Sequence, residues 1–250
     1  MDFSNILFRA SSIGYLMTEP KLKADKEAGN LSETALTHIT DVFIREKYGR
    51  QTDISNKFIE KGLAVEEDSI TLYSRVKKTF FQKNEEHLEN EFVKGTPDLY
   101  TGESIFEADT IIDIKSSWDI FTYFRNFGKK VNAQYYWQLQ TYMWLTGAKS
   151  SVLAYCLVNT PEMMIQDEQK KLFYKMACLT EENDLYREAC AHIELAAIYD
   201  DVPLNERVLE FHIDRDDKAI ESIKDKVLKA RKQISILNEV ISNNQLITVH

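Results

Sequence analysis

The segment Gly95-Thr96-Pro97-Asp98, followed after a turn by Ile111-Ile112-Asp113-Ile114-Lys115, decides how this chain folds. Asp113, Ile114 and Lys115 continue a β-branched run that reads as a short buried strand. Strand alternation sends Asp113 and Lys115 to one face and Ile114 to the other. A carboxylate and an ammonium side by side in an apolar strand are costly to bury without compensation. Asp98 and a divalent cation would provide it. Two carboxylates and the Ile114 carbonyl are hard oxygen donors of the kind Mg²⁺ prefers, with water and phosphate completing the shell. Lys115 then stands beside a metal-bound water able to attack a phosphodiester. An incidental surface hairpin also carries an Asp-x-Lys pair, so the other parts of the chain have to decide.

Upstream, residues 78–100 read as strand material: Thr79-Phe80-Phe81, a polar turn around Asn84 to Glu86, then Glu91-Phe92-Val93 leading into Gly95. A Thr101-Gly102 turn returns the chain to residues 111–115 as a hairpin-like pair. Thr96, next to the first acid, is placed to donate to a phosphate. Residues 61–73 read as one helix, with Gly62, Glu66 and Ile70 on a single face at spacing four. A glycine there admits another backbone, and Glu66 is the expected third carboxylate near the metal. Glu67 and Asp68 read as solvated. Ser32 caps a helix with apolar positions Leu36, Ile39, Val42 and Phe43, ending near Tyr48-Gly49. His38 on that helix reads as a hydrogen-bonded partner rather than a ligand. A polar, lysine-containing loop spans residues 18–30. Before it, in Arg9-Ala10-Ser11-Ser12-Ile13-Gly14, Ser11 or Ser12 caps a short helix through Met17. That helix start is either a plain cap or an anion site.

Downstream, Ile120, Phe121, Tyr123, Phe124 and Phe127 interleave with Arg125, Lys129 and Lys130. The pattern suits either single-strand stacking or an amphipathic helix packed on the sheet. The next helix, around Gln134 to Trp144, stops at Gly147. On it Gln138 and Tyr142 share a face one turn apart, and Tyr136, Leu139 and Met143 form an apolar stripe. Residues 151–158 read as a strand, giving a helix crossover beside the Asp113 strand. Residues 161–195 read as polar and helical, with Met176, Leu185 and Ile193 as core contacts. A strand over 208–213 and a long helix over 219–241 close the chain. That helix has Ile220, Ile223, Val227, Ala230, Ile234, Leu237 and Ile241 on one face.

The chain has 250 residues, enough for one sizeable core. No apolar run approaches the ~18 residues of a membrane helix, and no basic-then-apolar leader opens the sequence. Cys156, Cys178 and Cys190 are odd in number and lack Cys-x-x-Cys spacing. They read as reduced thiols of a cytoplasmic protein without zinc or iron–sulfur clusters. A net charge of −9 is not what duplex binding by phosphate neutralisation favours. Residues 115–130 nevertheless carry Lys115, Arg125, Lys129 and Lys130 against Asp119 alone, which permits a basic channel in an acidic shell.

Pro97-Asp98 with Asp113-Ile114-Lys115 resembles the PD-(D/E)xK nuclease superfamily. With Glu66 before it, Gln138-x-x-x-Tyr142 after it and the opening Arg9 to Gly14 run, the order resembles the phage lambda exonuclease/YqaJ-type viral recombinase branch. The match covers about residues 9–158. The resemblance implies an α/β (α+β) fold, with a central mixed β-sheet flanked by helices, a single nuclease domain and a helical and stranded extension over 159–250. It implies a metal-dependent 5′→3′ exonuclease acting on linear double-stranded DNA in phage or prophage recombination. Asp98, Asp113, Glu66 and the Ile114 carbonyl would then hold Mg²⁺, with Mn²⁺ as a substitute. Lys115 would orient the attacking water, and Gln138 would position the scissile strand or Lys115. Arg9, Ser11 and Thr96 match positions that hold the 5′-phosphate in that branch, although Arg9 and Ser11 are closer together here, and Tyr142 would join them at the substrate. Double-stranded DNA ends are the implied partner, with a single-strand annealing protein and a trimeric ring as further expectations. An endonuclease on the same fold is the nearest rival, and an inactive DNA-end-binding recombination adaptor is a rival of another class. The absence of a cysteine cluster disfavours a CRISPR-associated exonuclease.

Overall fold

In a computed structural model describing residues 3–52 and 56–243, the opening segment forms two neighbouring strands. Strand β4 (Leu99–Gly102) runs antiparallel to β5 (Ala108–Ser116), pairing Leu99 with Ile112. A 3-10 turn at Ile105–Glu107 and a register shift at Thr101/Gly102 make the return wider than a tight hairpin. Strand β6 (Ser150–Cys156) lies parallel to β5, and β7 (Val208–Asp214) antiparallel to β6. The sheet order is therefore β4-β5-β6-β7, a mixed sheet.

Parallel neighbours need a crossover. Helices α6 (Ile120–Phe124) and α7 (Ala133–Thr146) supply it, and α7 ends where Gly147 takes φ 79°. On one face of the sheet, Leu139 and Met143 of α7 pack with Ile111 and Leu153. On the other, α5 (Glu66–Lys77) lays Ile70, Leu72 and Tyr73 against Ile112, Ile114 and Ala154. The sequence alternation of β5 is thus spent on two buried faces, which is why its apolar run is nearly continuous.

The chain between residues 61 and 73 is not one helix. It breaks at Val65, φ −113° and ψ 13°, into α4 (Lys57–Ala64) and α5. Val65 is fully buried in the α5 core, and turning it inward forces the break. Gly62 consequently sits on a different helix from Glu66, and a Cβ added to it would meet nothing within 4 Å. It allows no close backbone approach. Residues 79–81 do not form a strand either. Thr79 N–H donates to the Ser74 carbonyl and Phe81 N–H to Ser74 Oγ, so they wrap the end of α5, with Phe80 exposed. The strands found upstream are β2 (Leu88–Glu89) and β3 (Val93–Gly95). With β1 (Phe8–Arg9) they form a separate small sheet of order β1-β3-β2.

Helix α1 (Ile13–Leu16) follows β1 and a 3-10 turn, and α2 (Lys23–Glu27) occupies the expected loop. Ser12 stands at the α1 cap position but donates to the Arg9 carbonyl instead of capping. Helix α3 (Glu33–Tyr48) is capped by Ser32 Oγ as expected, with Ala35 rather than the exposed Leu36 joining Ile39, Val42 and Phe43 inside. Helices α8 (Glu162–Lys175) and α9 (Asp184–Ala197) bury Ile165, Tyr186 and Ala197. Met176 and Leu185 are exposed there, and Ile193 only half-buried, because α8 and α9 meet mainly each other. Helix α10 (Asp217–Ser242) packs Ile223, Val227, Ala230 and Ile234 against Phe8, Ile13, Ile39 and Phe43, while Ile241 lies exposed past the core. Burying each such Ile or Val contributes about 1.5–3 kcal/mol. The last third of the chain therefore supplies both a strand of the central sheet and a core helix. Among the described residues, no helix is long and apolar enough to cross a membrane.

Candidate active site

The β4–β5 pairing brings the two acids together. Asp98, just before β4, accepts a hydrogen bond from Ile114 N–H at Oδ2, 2.8 Å. Asp113, 1% exposed, faces α7. Its Oδ1 accepts from Gln138 Nε2 at 3.0 Å, and its Oδ2 lies 2.6 Å from Lys115 Nζ. Gln138 also donates to the Tyr142 hydroxyl at 3.1 Å. The helical spacing of Gln138 and Tyr142 thus becomes a clamp on Asp113. Gln138 holds one oxygen of Asp113, and the other contacts Lys115.

The electrostatics follow from two carboxylates facing one ammonium, which leaves one negative charge in excess. Burial first, and then the charge of Asp113, push the Asp98 carboxyl up to about 7, against the pull of Lys115 and the Ile114 N–H. Burial opposes the charge on Lys115, yet Asp113 and Asp98 outweigh it and hold the ammonium above the usual lysine range. Burial and Asp113 likewise raise the Tyr142 hydroxyl. A proton retained on Asp98 answers the excess charge in one way; a cation among the same oxygens answers it in another.

The donor set fits a hard divalent cation. Both carboxylates are present, and the N–H and C=O of one strand residue point to the same edge, so the Ile114 carbonyl faces the Asp98 side. Among the described residues, no three or more His, Cys, Asp or Glu side chains form a metal-holding group. Glu66, expected as the third acid, instead bonds Lys83 Nζ at 2.7 Å from the first turn of α5. A site of two carboxylates that leaves positions to water and phosphate is how Mg²⁺ is commonly held.

Four residues expected to touch substrate, Arg9, Ser11, Thr96 and Tyr142, line one open cavity of about 390 Å³ with Lys94 and His87. Gly95 makes this possible: a Cβ there would stand 2.7 Å from Tyr142 Cε1 and 2.9 Å from Ala10 Cβ. Tyr142 lines that cavity with its ring and reaches the Asp113 clamp with its hydroxyl.

Several contributors carried no signal in the sequence. Asn84 donates from Nδ2 to the Pro97 carbonyl at 2.9 Å, and its N–H to the Asp98 carbonyl at 2.8 Å, riveting the acid-bearing turn. His87 Nδ1 bonds Thr96 Oγ1, and Lys83 engages Glu66. The Lys115 ammonium lies 5.2 Å from the centre of the Tyr135 ring. Only Tyr135, three residues before Gln138 on α7, sat on a face already marked. In the aromatic stretch both sequence readings find material: Tyr123 is buried, while Phe121, Phe124 and Phe127 are exposed beside Arg125.

No protein-family model matches the chain, and no curated protein matches it. Among solved structures, a phage-related exonuclease from Haemophilus somnus 129PT superposes with TM-score 0.70 at 28% identity, covering 96% of this chain and 97% of that one. The chain shares the fold of a phage-related exonuclease. An alkaline exonuclease from Laribacter hongkongensis has the same fold at TM-score 0.61 and 15% identity, covering 96% and 95%. Its complex with dAMP superposes at TM-score 0.62 and 17% identity, covering 95% of this chain and 92% of that one. These overlaps run through α8, α9 and α10, so the likeness extends well beyond the 9–158 stretch that carries the motifs.

Proposed function

We propose that this chain is a Mg²⁺-dependent deoxyribonuclease, a single-domain exonuclease that digests linear duplex DNA from its 5′ ends and prepares single strands for phage-type recombination. The observation that carries the reading is the Asp98–Asp113–Lys115 cluster around the buried Asp113, clamped by Gln138 and joined through Tyr142 to the Arg9–Ser11–Thr96 cavity. The likeness to a phage-related exonuclease over nearly the full length supports it.

Asp98, Asp113 and the Ile114 carbonyl would hold the cation. When bound, Mg²⁺, or Mn²⁺ in its place, supplies an activated water and offsets charge on the phosphate. Lys115 holds a proton firmly beside Asp113, so it acts as a fixed positive charge toward the developing phosphorane rather than as a base. Gln138 keeps the Asp113 carboxylate oriented. Arg9, Ser11 and Thr96 receive the terminal 5′-phosphate, and Tyr142 packs between that pocket and the acids. Glu66, paired with Lys83, acts at the edge of the charge cluster. A single-strand annealing protein is the proposed partner, and a trimeric ring around the duplex the proposed assembly.

The deciding experiment compares linear 5′-phosphorylated duplex with a closed circle of the same DNA, in Mg²⁺ and in EDTA. Degradation of the linear form alone, and only with metal, is expected. Cutting of the circle would replace this reading with an endonuclease, and binding of ends without hydrolysis would replace it with an adaptor.

A further inference from the structure

Arg9 and Ser11 line two cavities, not one. Beside the Thr96 cavity lies a larger one, of about 730 Å³, between the segment around α1 and helix α3. Its cations are Arg9, Arg45 and Arg50, against Asp41 alone among the lining acids. Two polar atoms on its α3 wall, His38 Nε2 and Arg45 Nη2, are buried with no hydrogen-bond partner. Arg45 Nε is already engaged by Glu46 at 3.0 Å, so Nη2 is the guanidinium edge left over. His38 was expected to be hydrogen-bonded. It packs instead against the Phe8 and Tyr15 rings, held below its usual range by burial and then by Arg45, with Asp41 opposing. An unpaired buried polar group costs about 1–3 kcal/mol. Of the two, Arg45 Nη2 is a donor, and a basic cleft with such a guanidinium edge suits an anion of phosphate geometry.

We propose that this cavity is a second phosphate-binding site, in which Arg45 and Arg50 take a backbone phosphate of the DNA molecule whose end occupies the Arg9–Ser11–Thr96 cavity. The inference rests on the nuclease reading above and extends it. Because Arg9 and Ser11 belong to both walls, a polyanion can occupy the two cavities without leaving the surface. Free phosphate shares the chemistry but has no need of adjoining sites.

The test is binding of a fluorescent 5′-phosphorylated duplex in EDTA across a salt series, using wild type, Arg50→Ala, Arg45→Gln and Arg45→Lys. Arg50 is exposed, so its replacement does not threaten folding. We expect Arg50→Ala and Arg45→Gln each to weaken binding by about tenfold and to lower the salt slope by about 0.9, the value for one phosphate contact. Arg45→Lys should keep the slope but not the full affinity, since a point charge lacks the fork. Should wild type digest linear DNA while both neutral variants keep its affinity and slope, the second site is refuted and the nuclease reading stands. If the variants lose calorimetric binding of inorganic phosphate but keep the DNA slope, the cavity serves free phosphate and the DNA assignment fails. A wild type that neither binds nor cuts DNA removes both readings. Should Arg45→Gln not fold, the Arg50→Ala slope decides alone.

Discussion

Two lysines in this fold are drawn away from solvent, Lys61 fully and Lys115 in part, and their surroundings drive them in opposite directions. Lys115 contacts the Asp113 carboxylate on the α7 side of the sheet and feels the charge of Asp98, and its ammonium is held above the usual range against desolvation. Lys61, 1% exposed on α4, donates to the Trp118 carbonyl at 2.6 Å and lies near the Trp118 and Tyr199 rings. Burial pushes it down to about 8, with only Asp119 opposing. Desolvation acts on both with the same sign, so the neighbours decide. Lys115 is a permanent positive charge with acids to balance it. Lys61 is a marginal one, satisfied by a carbonyl and ring faces.

The largest expected effect breaks the first of these environments. Lys115→Ala should lower the rate of linear-duplex digestion by about 10³-fold, the scale of losing one preorganised charge at a transition state. Single-turnover kinetics read this, with a thermal melt to verify folding and end binding to show that substrate is still taken up. Digestion at the wild-type rate would remove Lys115 from the chemistry. Next in size, Gln138→Ala frees Asp113 Oδ1 and the Tyr142 hydroxyl together. Loss of such an orienting contact should reduce activity or metal affinity by about 10–100-fold. A titration of rate against Mg²⁺ would separate the two, and an unchanged curve would show that Asp113 needs no clamp.

Lys61 offers the contrasting measurement. Its folded pKa lies below its unfolded value, so between about pH 8 and the normal lysine range the unfolded chain binds the extra proton. Stability from this group therefore rises with pH across that window. Relative to Lys61→Met, wild type should gain on the order of 1 kcal/mol between pH 8 and pH 10 in urea unfolding. A flat difference would mean that Lys61 is no less solvated than an ordinary lysine. The smallest effect concerns its neighbour on α4. Gly62→Ala should stabilise the protein by about 0.5–1 kcal/mol, because an alanine Cβ meets nothing there and glycine weakens a helix. A loss of stability would restore the close backbone approach expected from sequence.

The contrast also explains what could be read in advance. Lys115 was legible because its partner is two residues away on one strand face, and strand geometry alone puts them together. Gln138 and Tyr142 were legible because helical spacing fixes their relation. The break at Val65 was not, since it arises from burying Val65 in a core assembled from β4, β5 and β6. The pairing of Glu66 with Lys83 was not legible for the same reason, since it depends on the path of residues 79–84 along α5. Asn84, which fixes the Pro97-Asp98 turn by three-dimensional contact, left no periodic mark.

By itself the sequence determined the order of strand, acid, strand and clamp helix, because those relations are set by backbone geometry over a few residues. Only the tertiary structure decided that the last third completes the sheet with β7 and closes the core with α10. It alone decided that Arg9 and Ser11 meet Thr96 on one side and Arg45 on the other. Contacts between distant segments depend on which apolar faces find one another, and alternation within a segment reports that a face is apolar without naming what covers it.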